Sequence, residues 1–214
     1  MLQSILNDRR SDNDIRLSLA LGPLRYMPDV MVEKVVKDMI EALDHDNDYF
    51  DRLGYIERFD FWPRWKPVEK DVFNVVVPDA FIRFEKLDVI INVKRSRALH
   101  KNADEWGRIF RSYEREYGCD RCCILISLGG DGSDRTRVDL EWHDVYQVSW
   151  FTYKQCIENI SRKLNDCDLT RCFDDIVAIS NYMGYKDHPI LDDGVYEELD
   201  DGFRGFSRRD ALMH

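Results

Sequence analysis

The sequence lacks any apolar run that approaches the length of a membrane span. Its first residues, Met1-Leu2-Gln3-Ser4, also lack the apolar core of a signal peptide. Both features argue against a membrane protein and against export by a visible signal. We therefore expect a cytoplasmic protein that does not bind a membrane. The chain also lacks internal repeats and low-complexity segments.

The sequence offers little for a metal site built from cysteine or histidine, because the histidines have no metal-ligand spacing. Six cysteines in a chain without a signal peptide indicate reduced thiols rather than disulfide bridges. One alternative is a zinc site, and the other is a set of buried thiols in strand and helix cores. We favour buried thiols. The zinc site would combine Cys119, Cys122, Cys167 and Cys172, whereas Cys122, Cys123, Cys156 and Cys172 are predicted core positions.

The chain also has fewer basic than acidic residues. It contains 31 Lys and Arg and 41 Asp and Glu, which gives a net charge of −10. Such a balance is unfavourable for binding nucleic acid. The charges are segregated along the chain, however, with acidic residues concentrated between Asp187 and Asp201. We therefore predict a basic strip for nucleic-acid binding. Its members are Lys94, Arg95, Arg97, Lys101, Arg108, Arg111 and Arg115.

Hydrophobic residues make up 44% of the chain and aromatic residues 12%, which is typical of a globular protein with one core. We predict an N-terminal arm or short helix over residues 1–27 and a core over 28–165. A C-terminal helix over 166–186 is expected to pack on that core. Residues 187–214 are predicted to be an acidic tail that is mobile or depends on a partner.

Hydrophobic periodicity predicts an α/β fold, with helices and strands in alternation. The Tyr55–Trp65 strand mixes aromatic and basic residues, and we favour an edge strand with core aromatics over a surface for stacking bases. The predicted helices are 28–43, 98–117, 152–164 and 169–183, and the predicted strands are 55–65, 75–84, 87–94, 122–128, 136–142 and 145–151.

The stretch from Val75 to Arg97 is where the sequence concentrates its chemistry. Two runs rich in strand formers flank the polar pair Glu85-Lys86, which predicts a hairpin. Alternation along a strand places Asn92 and Lys94 on one face. Val89, Ile91 and Val93 are expected on the other. If Phe84 pairs with Leu87, Asp79 lies near Asn92 and Lys94 across the ladder.

Pro78-Asp79, the hairpin, and the run Asn92-Val93-Lys94 resemble the motif of the PD-(D/E)xK nuclease superfamily, with Asn92 in place of the second acid. The predicted order of elements over residues 28–165 is similar to the αβββαβ core of that superfamily. The resemblance implies a restriction-endonuclease-like fold, in which helices flank a mixed central sheet.

The resemblance also implies a Mg²⁺-dependent endodeoxyribonuclease, in which Mn²⁺ can substitute, acting in phage defence, restriction, repair or transposition. Asp79, the amide of Asn92 and the carbonyl of Val93 would bind the metal, and Lys94 would orient or activate the water. A further acid is expected from Glu33, which ranks first, or from Glu105, with Glu57 and Asp104 as other candidates. We expect Asp79 and Lys94 to face one open cleft.

Two other functions remain compatible with the sequence. The first is a catalytically inactive nuclease-like module that binds nucleic acid or a protein partner. The second is a regulatory partner protein that acts through its acidic tail and has no basic cleft. A second carboxylate close to Asp79 would favour the enzyme. The sequence leaves open a protein partner or a homodimer.

Overall fold

The computed structural model describes residues 20–44, 53–68, 75–93, 102–129, 137–140, 143–164 and 169–178. The described strands form one six-stranded mixed sheet with helices on both sides, so the fold is α/β as predicted. The elements are α1 (Asp29–Glu41), β1 (Ile56–Phe61), β2 (Ala80–Phe84), β3 (Asp88–Val93), α2 (Asn102–Tyr117), β4 (Cys123–Leu128), β5 (Arg137–Leu140), β6 (His143–Val148) and α3 (Trp150–Ser161). A short 3₁₀ helix, Gly22–Tyr26, precedes α1, and residues 169–178 are helical.

The sheet order is β1-β2-β3-β4-β6-β5. The pairs β1–β2, β2–β3 and β5–β6 are antiparallel, whereas β3–β4 and β4–β6 are parallel. The central strands β3, β4 and β6 therefore end at the same edge of the sheet. Polar side chains at those ends come together, which decides where the candidate site lies.

The β2–β3 hairpin has the predicted register. The amide of Phe84 donates to the carbonyl of Leu87 at 2.9 Å, so the connection consists of Glu85 and Lys86 alone. Further along the ladder, Ala80 lies opposite Ile91. The next residues outward, Asp79 and Asn92, are thereby brought to the open end of the hairpin.

The two faces of the sheet have separate apolar layers. One layer contains Val89 and Ile91 of β3 and is covered by α1 and α3. The other contains Ile90 of β3 and is covered by α2. The predicted alternation of β3 is thus confirmed, since Ile90 lies under α2 and its neighbours on either side lie under α1 and α3.

Helix α1 buries the predicted apolar stripe, Val32, Val35, Val36, Met39 and Ile40. Helix α2 ends at Gly118, whose φ of 84° favours glycine and whose amide donates to the carbonyl of Glu114 at 2.7 Å. In the described part of the N-terminal segment, Leu21 and Leu24 are buried in the same core as α1 and α3. No helix among the described residues is long and apolar enough to cross a membrane.

Several predicted boundaries were wrong. Strand β6 ends at Val148, because the hydroxyl of Ser149 accepts the amide of Thr152 at 3.0 Å and starts α3. Phe151 therefore lies in a helix, not in a strand. Strand β2 begins at Ala80 instead of Val75, since Val76 pairs only with Trp65, in an isolated bridge. Tail residues 187–214 lie outside the described residues.

The aromatic residues of the first strand behave as core residues at an edge. Strand β1 is at the edge of the sheet, and Phe59 and Phe61 pack against the layer beneath α1. Trp65 is 1% exposed, in the layer beneath α2. The edge position is as predicted, but Phe59 and Phe61 are only partly buried, and Tyr55, just before β1, is 59% exposed.

The cysteines divide between core and surface. Cys123 and Cys156 are buried as predicted, and burial raises the pKa of the Cys156 thiol to about 12. Cys122 and Cys172 are exposed, so their prediction as core residues was wrong. Cys167, one member of the alternative zinc set, lies outside the described residues.

Candidate functional site

The open end of the hairpin is fastened by Asp79. Its side-chain Oδ2 accepts the backbone amide of Val93 at 2.7 Å, and its own amide donates to the carbonyl of Ile91 at 3.1 Å. The sequence led us to expect Asp79 at an open cleft. In the structure Asp79 is only 2% exposed and does not project into solvent. One carboxylate oxygen is thus fixed at the end of β3. The chain brings Asp79 to Asn92 and Val93, as the ladder predicted.

A second carboxylate reaches the same end of β3 from the other side. The side-chain nitrogen of Asn92 donates to Oε1 of Glu105 at 3.3 Å. Glu105 is an exposed residue in the first turn of α2. Asp79 and Glu105 therefore contact two consecutive residues of β3, Val93 and Asn92. The two carboxylates thus reach the carboxyl end of β3 from β2 and from α2.

Helix α2 is placed over this site by contacts at both of its ends. Tyr113, near its C-terminus, donates its hydroxyl to Asp88 at the start of β3 at 2.7 Å. Glu105, near its N-terminus, contacts Asn92 at the end of β3. The helix thus runs antiparallel to β3. Its first turn, which also carries Asp104, lies over the carboxyl ends of the parallel strands.

An open cleft of about 410 Å³ lies between α2 and the segment that precedes β2. Asn92 forms part of its lining, together with both acids of the first turn of α2. The opposite wall is held in place by two hydrogen bonds between Trp65 and Val76, of 2.9 and 3.0 Å. The lining residues are Val75, Val76, Val77, Asn92, Asp104, Glu105, Arg108 and Ile109.

The structure separates Glu33, the first-ranked extra acid, from Asp79. The Oε1 atom of Glu33 accepts the amide of Leu53 at 2.8 Å, and Leu53 in turn accepts the amide of Lys86 in the hairpin turn. Glu33 therefore belongs to the turn end of the hairpin. Asp79 is at the opposite end of β2, five residues before Phe84 and so roughly 16 Å from it at the usual rise of a strand. Glu33 holds a loop and does not join Asp79.

Glu57 is also at the turn end, because its neighbour Ile56 lies opposite Phe84. Of the candidate extra acids, Glu105 is the one in contact with the motif, while Asp104 lines the cleft beside it. We ranked Glu33 first because the sequence predicts a helix before the strands. The hydrogen bond with Leu53 places Glu33 at the turn end of the hairpin. No pattern in the sequence predicts that contact.

The oxygen atoms at this site suit a hard divalent cation. Magnesium prefers carboxylate, amide and carbonyl oxygens, and Asp79, Glu105, Asn92 and Val93 can supply all three types. In the structure the amide nitrogen of Asn92 faces Glu105. Binding through the amide oxygen of Asn92 therefore requires that amide to turn over. Among the described residues, no three histidine, cysteine, aspartate or glutamate side chains are grouped so as to hold a metal.

Only part of the predicted basic strip is described. Arg108 and Arg111 are exposed on α2, and Arg108 lines the cleft. Arg115 instead donates to the carbonyl of Pro67 and so fastens a loop. The remaining members, Lys94, Arg95, Arg97 and Lys101, lie outside the described residues. The predicted meeting of Lys94 with Asp79 therefore stays a prediction.

A polar row that the sequence did not reveal continues from Asn92 across the sheet. Asn92 lies beside Ser127 of β4, and Ser127 lies beside Gln147 of β6. Ser127 is 1% exposed, and its hydroxyl has no hydrogen-bond partner among the described residues. In the sequence Ser127 is a single polar residue in an apolar run. The signal that would have found it is the register of three parallel strands, which one sequence does not contain.

A buried charge network at the other end of β3 was also missed. Asp88 is fully buried and accepts hydrogen bonds from Arg83, Tyr113 and Arg121. The nearest distance from Arg83 is 2.6 Å, and Arg83 also stacks over the ring of Tyr117 at 4.5 Å. The register predicted for the hairpin already places Arg83 opposite Asp88, so this pair had a sequence signal. The network fastens the hairpin to α2.

Comparison of the chain with protein-family models, with curated proteins and with solved structures finds no match.

Proposed function

We propose that the chain is a metal-dependent endodeoxyribonuclease with a restriction-endonuclease-like core, which hydrolyses DNA phosphodiester bonds with Mg²⁺ or, in its place, Mn²⁺. The observation that carries the proposal is the convergence of two carboxylates on consecutive residues of β3. Asp79 accepts the amide of Val93 at 2.7 Å, and Glu105 contacts the side chain of Asn92 at 3.3 Å. An open cleft adjoins the second of these contacts, since both Asn92 and Glu105 line it.

The order of elements supports the proposal. Helix α1 is followed by β1, by the β2–β3 hairpin, by α2 and by β4, which is the αβββαβ order. Strands β4 and β6 run parallel to β3, so their polar ends meet at the same edge as the motif. In open α/β sheets, ligands bind at the carboxyl ends of parallel strands.

The residues divide the work of hydrolysis among them. Asp79 and Glu105 would hold the cation, with the amide oxygen of Asn92 and the carbonyl of Val93 as neutral ligands. When bound, the cation would polarise the phosphoryl group and lower the pKa of a water molecule. Alternation in the sequence predicts Lys94 on the same face as Asn92, and we propose that Lys94 orients that water.

The biological setting of the proposed nuclease is phage defence, restriction, repair or transposition. DNA is the proposed substrate, and Arg108 and Arg111 would contact its phosphates along α2, with Arg95, Arg97 and Lys101 extending the contact. Arg108 lines the cleft together with Asp104 and Glu105, which supports our proposal that it contacts the phosphate to be cleaved.

A second candidate function is a nuclease-like module that binds DNA or a protein partner without cleaving. The observation that favours it is the neutral amide at Asn92, which contributes no charge to a cation site. A module of this kind would bind DNA with affinity that falls steeply as salt rises, because binding releases counterions. It would leave the DNA intact at every metal concentration.

The test is cleavage of a supercoiled plasmid and of a single-stranded oligonucleotide, each with Mg²⁺ or Mn²⁺. We expect the wild-type protein to cleave, and Asp79→Asn and Glu105→Gln each to lower the rate at least about 100-fold. Asparagine preserves the acceptor for the Val93 amide, so the fold of the first variant is retained. Circular dichroism of each variant establishes that retention.

Glu33→Gln is the matched control, because it removes the same charge from the turn end of the hairpin and keeps an acceptor for the Leu53 amide. It should cleave at the wild-type rate. Equal loss in Glu33→Gln and Glu105→Gln would refute the site. Salt-dependent DNA binding without cleavage under any metal condition would favour the binding module instead.

A further inference from the structure

The polar row at the carboxyl ends of β3, β4 and β6 contains a buried hydroxyl that no described residue bonds. Ser127 is 1% exposed, and its Oγ atom has no hydrogen-bond partner among the described residues. Burying an unpaired hydroxyl costs free energy, because its bonds to water are lost and none replace them. This hydroxyl therefore offers bonding capacity to a ligand at the end of the sheet.

The direction of the Ser127 side chain follows from its strand. Leu125, two residues earlier, packs in the layer beneath α2, together with Ile90 of β3. Residues two apart on a strand share a face, so Ser127 and Asn92 both lie on the α2 side of the sheet. They are partners in the parallel register, and adjacent strands lie about 4.8 Å apart. The hydroxyl is therefore next to a residue that lines the cleft.

We propose that Ser127 is a positioning residue for a hydrated divalent cation, in which its hydroxyl hydrogen-bonds a water molecule bound to the metal. This inference rests on the proposed metal-dependent function. Asp79 and Glu105 reach the end of β3 from β2 and from α2, and Ser127 completes the third side from β4. A hydroxyl group suits a metal-bound water, since it can both donate and accept a hydrogen bond.

This arrangement selects for Mg²⁺ over Mn²⁺. Magnesium dehydrates reluctantly and keeps several of its waters in protein sites, so it gains from groups that hold those waters. In the part of the chain that the structure describes, two carboxylates contact the end of β3, and the neighbouring groups Asn92 and Ser127 are neutral. Neutral hydrogen-bonding groups are suited to a cation that retains its waters, and they orient those waters without displacing them.

The test measures metal binding by calorimetry, without DNA, for Ser127→Ala and Ser127→Thr. Removing the hydroxyl should weaken Mg²⁺ binding about 10-fold or more, as loss of groups that orient metal ligands does. Mn²⁺ binding should weaken less. Threonine restores a hydroxyl and should restore most of the Mg²⁺ affinity. Ser112→Ala is the matched control, because Ser112 is also 1% exposed but lies in the middle of α2, and it should leave affinity unchanged.

Stability without metal provides an independent readout. If Ser127 serves only the cation, Ser127→Ala should be as stable as wild type or more so, because it deletes an unpaired buried hydroxyl. A loss of stability in metal-free Ser127→Ala would reveal a structural hydroxyl and overturn the proposal. Unchanged Mg²⁺ affinity would overturn it as well.

The proposed function and this inference fail in different ways. If wild type binds Mg²⁺ and Asp79→Asn does not, the metal centre stands, and unchanged affinity in Ser127→Ala then removes Ser127 alone. If wild type binds neither Mg²⁺ nor Mn²⁺, the metal centre itself is refuted and the role of Ser127 with it.

Discussion

The two ends of the β2–β3 hairpin differ in how they satisfy their polar side chains. At the turn end, the carboxylate of Asp88 is fully buried and is bonded by Arg83, Tyr113 and Arg121. At the open end, Asn92 reaches Glu105 at 3.3 Å, and the hydroxyl of Ser127 has no partner among the described residues. The turn end is closed by protein alone, whereas at the open end the Ser127 hydroxyl can still bond a ligand, as far as the described residues show.

The difference in hydrogen bonding indicates separate roles for the polar groups at the two ends of the hairpin. A buried carboxylate with every lone pair engaged holds elements together, and it offers nothing to a substrate. A group of carboxylate, amide and hydroxyl with capacity left, beside an open cleft, is suited to binding. The hydrogen bonds at each end therefore distinguish the role of Asp88 from that of Ser127 more directly than their sequence contexts do.

The largest effect is expected from breaking the turn end. Asp88→Ala should lower the free energy of unfolding by about 3 kcal/mol, because it leaves the Arg83 guanidinium and the Tyr113 hydroxyl without their shared acceptor. The lower end of the usual range applies, since the Arg83 side chain keeps 19% of its exposure to water. Urea denaturation measures the change.

Asp104→Ala is the comparison for that measurement, because Asp104 is an exposed acid at the open end. Its effect on unfolding should stay within about 0.5 kcal/mol. Equal effects of the two substitutions would show that the turn end is no more tightly fastened than the cleft.

An intermediate effect is expected from alkaline pH acting on Tyr113. Burial, and then the neighbouring Cys123 and Asp88, hold the pKa of its hydroxyl above the ordinary range. The folded state therefore keeps a proton that the unfolded state loses. The resulting stability is complete below the ordinary tyrosine pKa of about 10 and declines above it, by about 1.4 kcal/mol per pH unit for one group.

Tyr113→Phe isolates this contribution. At neutral pH it should cost about 1 kcal/mol for the lost bond to Asp88. Above the ordinary tyrosine pKa its stability should decline less steeply than that of wild type. Urea unfolding at a series of pH values compares the two slopes. Parallel slopes would mean that Tyr113 ionises equally in both states.

The smallest effect on stability is expected at the open end. Asn92→Asp adds a carboxylate beside Glu105, so the metal-free protein should lose up to about 1 kcal/mol from repulsion between like charges. Mg²⁺ should restore the loss and bind more tightly than to wild type, because the new ligand is charged. Thermal unfolding with and without Mg²⁺ measures both changes.

Asn159→Asp is the matched control, an exposed position on α3, which packs on the opposite face of the sheet. It should show no stabilisation by Mg²⁺ beyond that of wild type. If Asn92→Asp likewise gains nothing from Mg²⁺, Asn92 does not belong to a cation site.

The sequence predicted those parts of the site that depend on local pattern. The hairpin register, the meeting of Asp79 with Asn92 and the apolar stripes of α1 and α2 follow from alternation and from a two-residue turn. These features need only the residues within a few positions of each other. The Arg83–Asp88 pair follows from the same register, although its burial and its third partner do not.

Long-range placement was beyond the sequence. Glu33 and Glu105 are both acids on amphipathic helices, and only the packed structure shows that the first reaches the hairpin turn and the second the open end. Ser127 gained its meaning from strands that lie far apart in the chain. Both cases depend on which elements become neighbours, and tertiary packing decides that.

The hydroxyl of Tyr153 on α3 donates to the carbonyl of Ala20 at 2.9 Å, which joins residues 133 positions apart. Such a contact encloses most of the described chain in one loop, and closing a long loop is entropically costly and slow. The hairpin can form early, whereas this closure has to wait for α3 to be synthesised and packed. A nascent chain released before α3 would leave Leu21 and Leu24 exposed to other chains. Residues 20–24 are therefore expected to reach their native packing only after α3 has been synthesised.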